Sequence, residues 1–308
     1  MNPLERAASV AKLQVERARA RYGWFDVMVE TVKTFSRDDG GSYTAALTYY
    51  MFFSLFPILL FSASIVGFLT AGNEELRKSI LDAGLSSVPL LRDVLSPAGL
   101  EAIEARRGAL ALTGLFMSLY AGSGAIVALE HALNRFSGVR AEPNWVQKRL
   151  RSLKFLGMFG VAVLVSLALG GLAGFAAEIF SPNVHLLVGL LLGHVTGFLV
   201  GVLIFASAYR FLPAVDVGWR DVLPGAVTAA LAFELLKEFG ALFLERGGAA
   251  REATFGVFAI SAALLVACFL MAQVTLMAAE LNNVLMDRRA TRQNQGSDKG
   301  RPDGSDDD

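Results

Sequence analysis

The chain has 308 residues, of which 54% are hydrophobic and 18% charged. A soluble domain carries about 25% charged residues, so the deficit points to lipid-facing surface. Lys+Arg and Asp+Glu both number 28, which leaves no overall field calling for nucleic acid, and the single Cys268 excludes an intrachain disulfide framework or a multi-cysteine metal site.

The first 43 residues mix both charge signs and hold no apolar core before a small-residue cleavage site, unlike a cleaved signal peptide. Within them, 22–37 read as an amphipathic helix. Phe25, Met28, Val32 and Phe35 recur at spacings of three and four, and Asp26, Glu30, Lys33 and Arg37 fill much of the rest. Such a helix packs on the protein or lies in the lipid interface, and Gly40, Gly41 and Ser42 are expected to end it.

No residue between Asp39 and Glu74 is charged, and 108–129, 155–177, 179–209 and 253–279 are also charge-free. Lipid tails neither solvate a charge nor hydrogen-bond a backbone, so a spanning helix needs about 20 mostly apolar residues in a row. Five windows satisfy that rule. A sixth, 222–244, crosses only by carrying Glu234, Lys237 and Glu238. The expected fold is an all-α polytopic membrane protein with short amphipathic surface helices. It comprises an N-terminal segment 1–43, a 44–286 domain with spans at 44–71, 109–129, 155–177, 184–208, 222–244 and 255–279, and a disordered polar tail over 287–308.

Six spans put both termini on one side, and that side then holds 20 of the 28 Lys+Arg residues. Cytoplasmic loops retain positive charge, so both termini are expected in the cytoplasm of a bacterial inner membrane.

Pro57 sits mid-span in the first window and is expected to kink or break it. The 73–107 loop, with Leu76, Ile80, Leu91, Val94 and Leu95, suggests short helices limited by Pro89 and Pro97. Small residues that allow close helix approach occur at Gly122 and Gly124, at Gly170 and Gly174, and as a four-residue repeat at Gly189, Gly193, Gly197 and Gly201. The repeat forms one drifting groove, filled by a helix of the same chain or by a homo-oligomer partner. Pro224 falls near the first turn of the fifth span, where a missing amide costs little.

Two groups of residues could carry chemistry. Glu234, Lys237 and Glu238 share one helical face deep in the sixth window. Buried charges of this kind line a transport or proton pathway, or form an internal salt bridge with Lys237 and Glu238 close to the outer interface. The second group is a charge ring at the cytoplasmic helix ends: Glu130, Asn134, Arg135, Arg210, Glu280 and Asn282. It reads either as interfacial anchoring or as a gate whose members pair. Arg149, Arg151 and Lys154 read as anionic-lipid anchors. The histidines are uninformative: His185 and His194 face opposite sides of one helix, and His131 falls in a loop. No zinc spacing, phosphate loop or nucleophile elbow is present, so no metal, cofactor or catalytic residue is expected, and membrane lipids are the expected partners.

The run Ala45 to Pro57 (AALTYYMFFSLFP) resembles the first-span signature of the YihY/BrkB family of membrane proteins. Ala128 to Asn134, Tyr209 to Pro213, Trp219 to Ala226, and Ala279 to Asn282 resemble further motifs of that family, in the same order. The likeness covers residues 25–287. It implies a six-span inner-membrane protein, a family some of whose members have been labelled ribonuclease BN or linked to virulence, with transport or lipid movement also suggested. The last span departs from the pattern, with Cys268-Phe269-Leu270 in place of a Trp-containing patch and Phe255 in place of a tyrosine. The expected function is a transporter or lipid-translocating protein. The alternative is a non-transporting scaffold or virulence-associated membrane protein, and ribonuclease activity is not expected.

Overall fold

The computed structural model describes residues 16–17, 19, 21–69, 107–139, 144, 146–161, 182–255 and 259–299. Helix is the regular secondary structure found among these residues, in seven main helices: α1 (Gly23–Arg37), α2 (Gly40–Leu69), α3 (Arg107–Phe136), α4 (146–161), α5 (Pro182–Phe211), α6 (Trp219–Phe255) and α7 (Ala259–Lys299). The expected helices of the 73–107 loop, Gly170, Gly174 and the tail beyond 299 lie outside the described residues.

Within the described residues, Leu112–Phe136 of α3, His194–Phe211 of α5 and Ser261–Asn294 of α7 are long and apolar enough to cross a membrane. Only 28%, 22% and 28% of the best windows in these stretches are buried inside the chain. The exposed remainder, such as Leu112, Phe116, Leu199, Leu203 and Val266, is the surface that a lipid phase would cover.

The helices meet through small and hydroxyl residues, the contacts that let backbones approach without large side chains. At the α2–α3 seam the Tyr50 ring lies over Gly124, where an added methyl would sit 2.8 Å from the ring. Thr44, Thr48 and Ser54 of α2 and Ser118 and Ser123 of α3 are buried, and each hydroxyl returns its hydrogen bond to its own helix backbone. Gly122 faces Leu156 of α4. Two members of the α5 glycine row meet α6 of the same chain: a methyl at Gly201 would sit 3.4 Å from Ala230 Cβ, and one at Gly197 would sit 3.2 Å from Glu234 Oε1. Gly189 and Gly193 continue along α5 outside the residues whose surroundings are described. Ala226, Ala229, Ala272, Ala278 and Ala279 are buried where α6 and α7 pack.

Several expectations need correction. Gly40, Gly41 and Ser42 open α2 rather than merely ending α1, and the break falls at Asp38–Asp39. Asp39 takes the left-handed conformation (φ 58), a region that Asp tolerates better than most residues. Gly40 is required because the Phe35 ring occupies the space of any Cβ there. The apolar face of α1 is also different. Thr31 and Phe35 are buried, while Met28 and Val32 stand exposed with Trp24. The cause is the neighbour. Asp26 bonds Arg288 of α7, and Arg37 and Asp38 lie within electrostatic reach of Glu280, so α1 runs antiparallel along α7.

α2 continues through Pro57 without interruption, although the proline deprives the Phe53 carbonyl of its helical donor. Pro224 is the sixth residue of α6, beyond the first turn. The 130–154 loop shrinks, because α3 runs to Phe136 and α4 begins at 146, which puts His131 on a helix. The supposedly disordered tail is helical to Lys299, where Arg288 and Arg289 pair with Asp26 and Asp221 and extend α7 past the apolar run.

Candidate functional site

Glu234, Lys237 and Glu238 lie at i, i+3 and i+4 on α6, which stacks them on one face. Lys237 Nζ donates to Glu234 Oε1 at 2.7 Å and sits 5.4 Å from the centre of the Phe233 ring. The structure adds a fourth member, His194 of α5. Its Nδ1 is 3.8 Å from Glu234 Oε2 and its Nε2 is 4.0 Å from Glu238 Oε1. The Glu234 Oε2 atom is buried and accepts no hydrogen bond. A signal for His194 was present in the sequence. His194, Gly197 and Gly201 share the face that packs on α6, and the missing side chain at Gly197 leaves room for the Glu234 carboxylate.

The depth of the cluster follows from register. Gly225 of α6 meets Asn282 of α7. The two helices run in opposite directions, so Glu234 falls about 14 Å further along, level with Gln273 and inside Ser261–Asn294. Lys237 is the middle residue of the 37-residue α6. The Glu234 side chain is 15% exposed, whereas Lys237, His194 and Glu238 are 48%, 56% and 64% exposed. The cluster therefore opens sideways from the chain.

The six residues expected to form one ring separate into distinct contacts. Glu130 is fully buried, and Arg151 of α4 reaches it at 3.0 Å while donating to the Leu212 carbonyl at 3.3 Å. Asn134 Oδ1 accepts the Ala214 backbone N–H at 2.7 Å, which ties α3 to the α5–α6 connection. Arg210 donates to the Val217 carbonyl at 2.8 Å and stacks 4.8 Å from the Trp219 ring. Glu280 is fully buried, with Asn283 donating to it at 3.4 Å. Arg135 is exposed. Asn282 bridges to α6. Glu130, Arg210 and Glu280 thus bind other residues rather than one another.

Arg151 has this internal role in place of the expected lipid anchoring. Arg149 donates to the Tyr120 carbonyl at 2.9 Å and stacks on its ring. Lys148 Nζ lies 2.9 Å from His131 Nε2. A cavity of about 20 Å³ between Leu133, Tyr209, Val222, Asn282 and Met286 has room for about one water molecule. Beyond these helix ends, Arg19 and then Arg288 hydrogen-bond Asp26 and hold its carboxyl below the usual carboxylate range. Among the described residues, no three His, Cys, Asp or Glu side chains are grouped to hold a metal ion.

Comparison with known proteins identifies relatives of the chain. The inner membrane protein YhjD of Escherichia coli (strain K12) is 26% identical over 230 residues, which cover 68% of this chain and 66% of that protein, just under two thirds of its length. The ribonuclease-like protein YfkH of Bacillus subtilis (strain 168) is 23% identical over 266 residues, covering 84% of this chain and 95% of its own. A membrane protein of Psychrobacter sp. (strain PRwf-1) is 24% identical over 273 residues, covering 85% of this chain and 48% of its own. No solved structure matches the chain. The family model described as virulence factor BrkB matches residues 31–303, nearly the whole helical assembly, and the chain belongs to this BrkB (YihY/BrkB) family of membrane proteins.

Proposed function

We propose that the chain is a six-span inner-membrane transporter or lipid-translocating protein, with both termini cytoplasmic and with Glu234, Lys237 and Glu238 as its working groups. The observation that carries this reading is the mixed-charge cluster at the middle of α6, at the depth of the apolar run of α7. A charge at the centre of a membrane helix costs on the order of 3 kcal/mol on insertion scales. Packing alone gives no reason to keep four ionisable groups there, with three of them half-exposed. The direct experiment is reconstitution into liposomes with a solute panel and a fluorescent-phospholipid scrambling assay. Flux that falls in Glu234→Ala supports the assignment. Flux equal to wild type removes Glu234 from the mechanism.

The second reading is a non-transporting membrane scaffold. It is favoured by the exposed stripe Trp24, Met28 and Val32 on α1, which lies beside the α7 extension. A scaffold holds a partner in crosslinking and native mass analysis and moves no solute. The ribonuclease-like name of the Bacillus relative is not carried over. Phosphodiester hydrolysis needs a placed acid and base or paired metals, and the balanced charge of this chain gives RNA no basic groove. A divalent-metal-dependent nuclease activity, abolished by one loop carboxylate substitution, would reverse that judgement.

A further inference from the structure

The charged face of α5 and α6 cannot look into lipid. His194, Lys237 and Glu238 are about half-exposed on the chain's own surface. On the Glu238 side of α6 lie Leu231 and Leu235, both exposed. Acyl chains can cover the leucines but not the ions. Intramembrane charges face a protein interior, a water-filled cavity or one another. Gly197 and Gly201 already face α6 of the same chain and are not a free seam.

We propose that a second copy of the chain covers this face, with the two copies related by a two-fold axis along the membrane normal. The argument is charge complementarity. An axis along the normal preserves depth, so each residue meets its own level in the other copy. Lys237 and Glu238 are consecutive and differ in depth by about 1.5 Å. Lys237 of one copy then faces Glu238 of the other, and the reverse pair closes the contact, as an isologous interface requires. Leu231 and Leu235 supply apolar packing beside the charged pair, and Glu234, already bound to Lys237 within the chain, stays behind the seam. The inference rests on reading α6 as a membrane-crossing helix, and it puts the proposed working groups at the junction of two copies.

Cys268 is the single cysteine, so a Cys268→Ser background permits site-directed crosslinking. In membranes, Leu235→Cys should crosslink to a dimer under mild oxidation, while Phe116→Cys, exposed on α3, should not. Labelled protein in liposomes should bleach in two steps. Lys237→Glu and Glu238→Lys should each lose the dimer, and the double swap should restore it. A monomer in the bilayer, equal crosslinking at Phe116 and Leu235, or single variants that remain dimeric would overturn the proposal. So would a monomer that retains a bound lipid headgroup at this face. A monomer whose flux still depends on Glu234 ends the second-copy proposal and leaves the functional reading intact. A charge-swappable dimer whose flux ignores Glu234 does the reverse.

Discussion

The side-chain amide of Asn282 on α7 sits astride the backbone of α6 beside Pro224. Its oxygen accepts the Gly225 N–H at 2.6 Å, and its nitrogen donates to the Val222 carbonyl at 3.2 Å. A proline inside a helix removes a donor and crowds the preceding turn; the carbonyl left without its helical donor here is that of Arg220, and the Asn282 amide adds interhelical hydrogen bonds to the backbone on either side of the ring. Gly225 makes the approach possible, because a Cβ there would overlap the Ala278 carbonyl and the Asn282 amide.

Asn282→Ala should remove two interhelical hydrogen bonds and cost about 2 kcal/mol. Gly225→Ala should cost about 1–3 kcal/mol through overpacking against backbone. Thermal unfolding in detergent measures both. Because the two residues share one contact, the double variant should cost less than the sum of the singles. Additive losses would mean that the contact does not govern this seam.

Glu130 and Arg151 give a second prediction. Arg151→Ala removes the hydrogen-bonding partner of the fully buried Glu130 carboxylate, and because Arg151 is partly exposed and Lys148 also acts on Glu130 it should cost about 1–3 kcal/mol. Glu130→Gln combined with Arg151→Met should cost much less than Arg151→Ala alone, since it removes the buried charge together with its partner. A double variant no more stable than Arg151→Ala in the same unfolding measurement would show that the pair adds no electrostatic strain when broken.

Asp26 sets a pH dependence outside the membrane. Its carboxyl is held low by Arg19 and Arg288, so its contribution to docking α1 on α7 is fully present above the ordinary carboxylate range. That contribution is lost as pH falls through the depressed folded value. Hydrogen exchange of α1 amides, corrected for intrinsic rates, should accelerate on acidification and with added salt, because the groups are partly exposed. Asp26→Asn should exchange faster at neutral pH and lose most of the pH response. An unchanged protection pattern would remove the clamp from the account.

The helical class and the apolar windows were legible because charge-free runs are a compositional signal that needs no tertiary information. Boundaries were less so. The helix of α7 outlasts its apolar run because Arg288 and Arg289 find partners on α1 and α6, which no local pattern reveals. Gly40 reads as a breaker in one dimension, yet it opens a helix because the Phe35 ring needs the space. At the site, the i, i+3, i+4 triplet was visible from spacing alone. His194 escaped because its significance depends on which α5 face meets α6, and the glycine row on that face was read only for packing. The separation of the ring residues was hidden for a similar reason: Arg151 and the Leu212 carbonyl come to Glu130 from distant parts of the chain.

The central claim is that α6 carries Glu234, Lys237 and Glu238 across the bilayer. In a Cys268→Ser background, Arg220→Cys and Arg246→Cys flank the 222–244 stretch of that helix, and a membrane-impermeant maleimide applied to intact spheroplasts reads their sidedness. The account predicts labelling of Cys at 246 and protection of Cys at 220 until the membrane is permeabilised. Labelling of both positions from one side would contradict it.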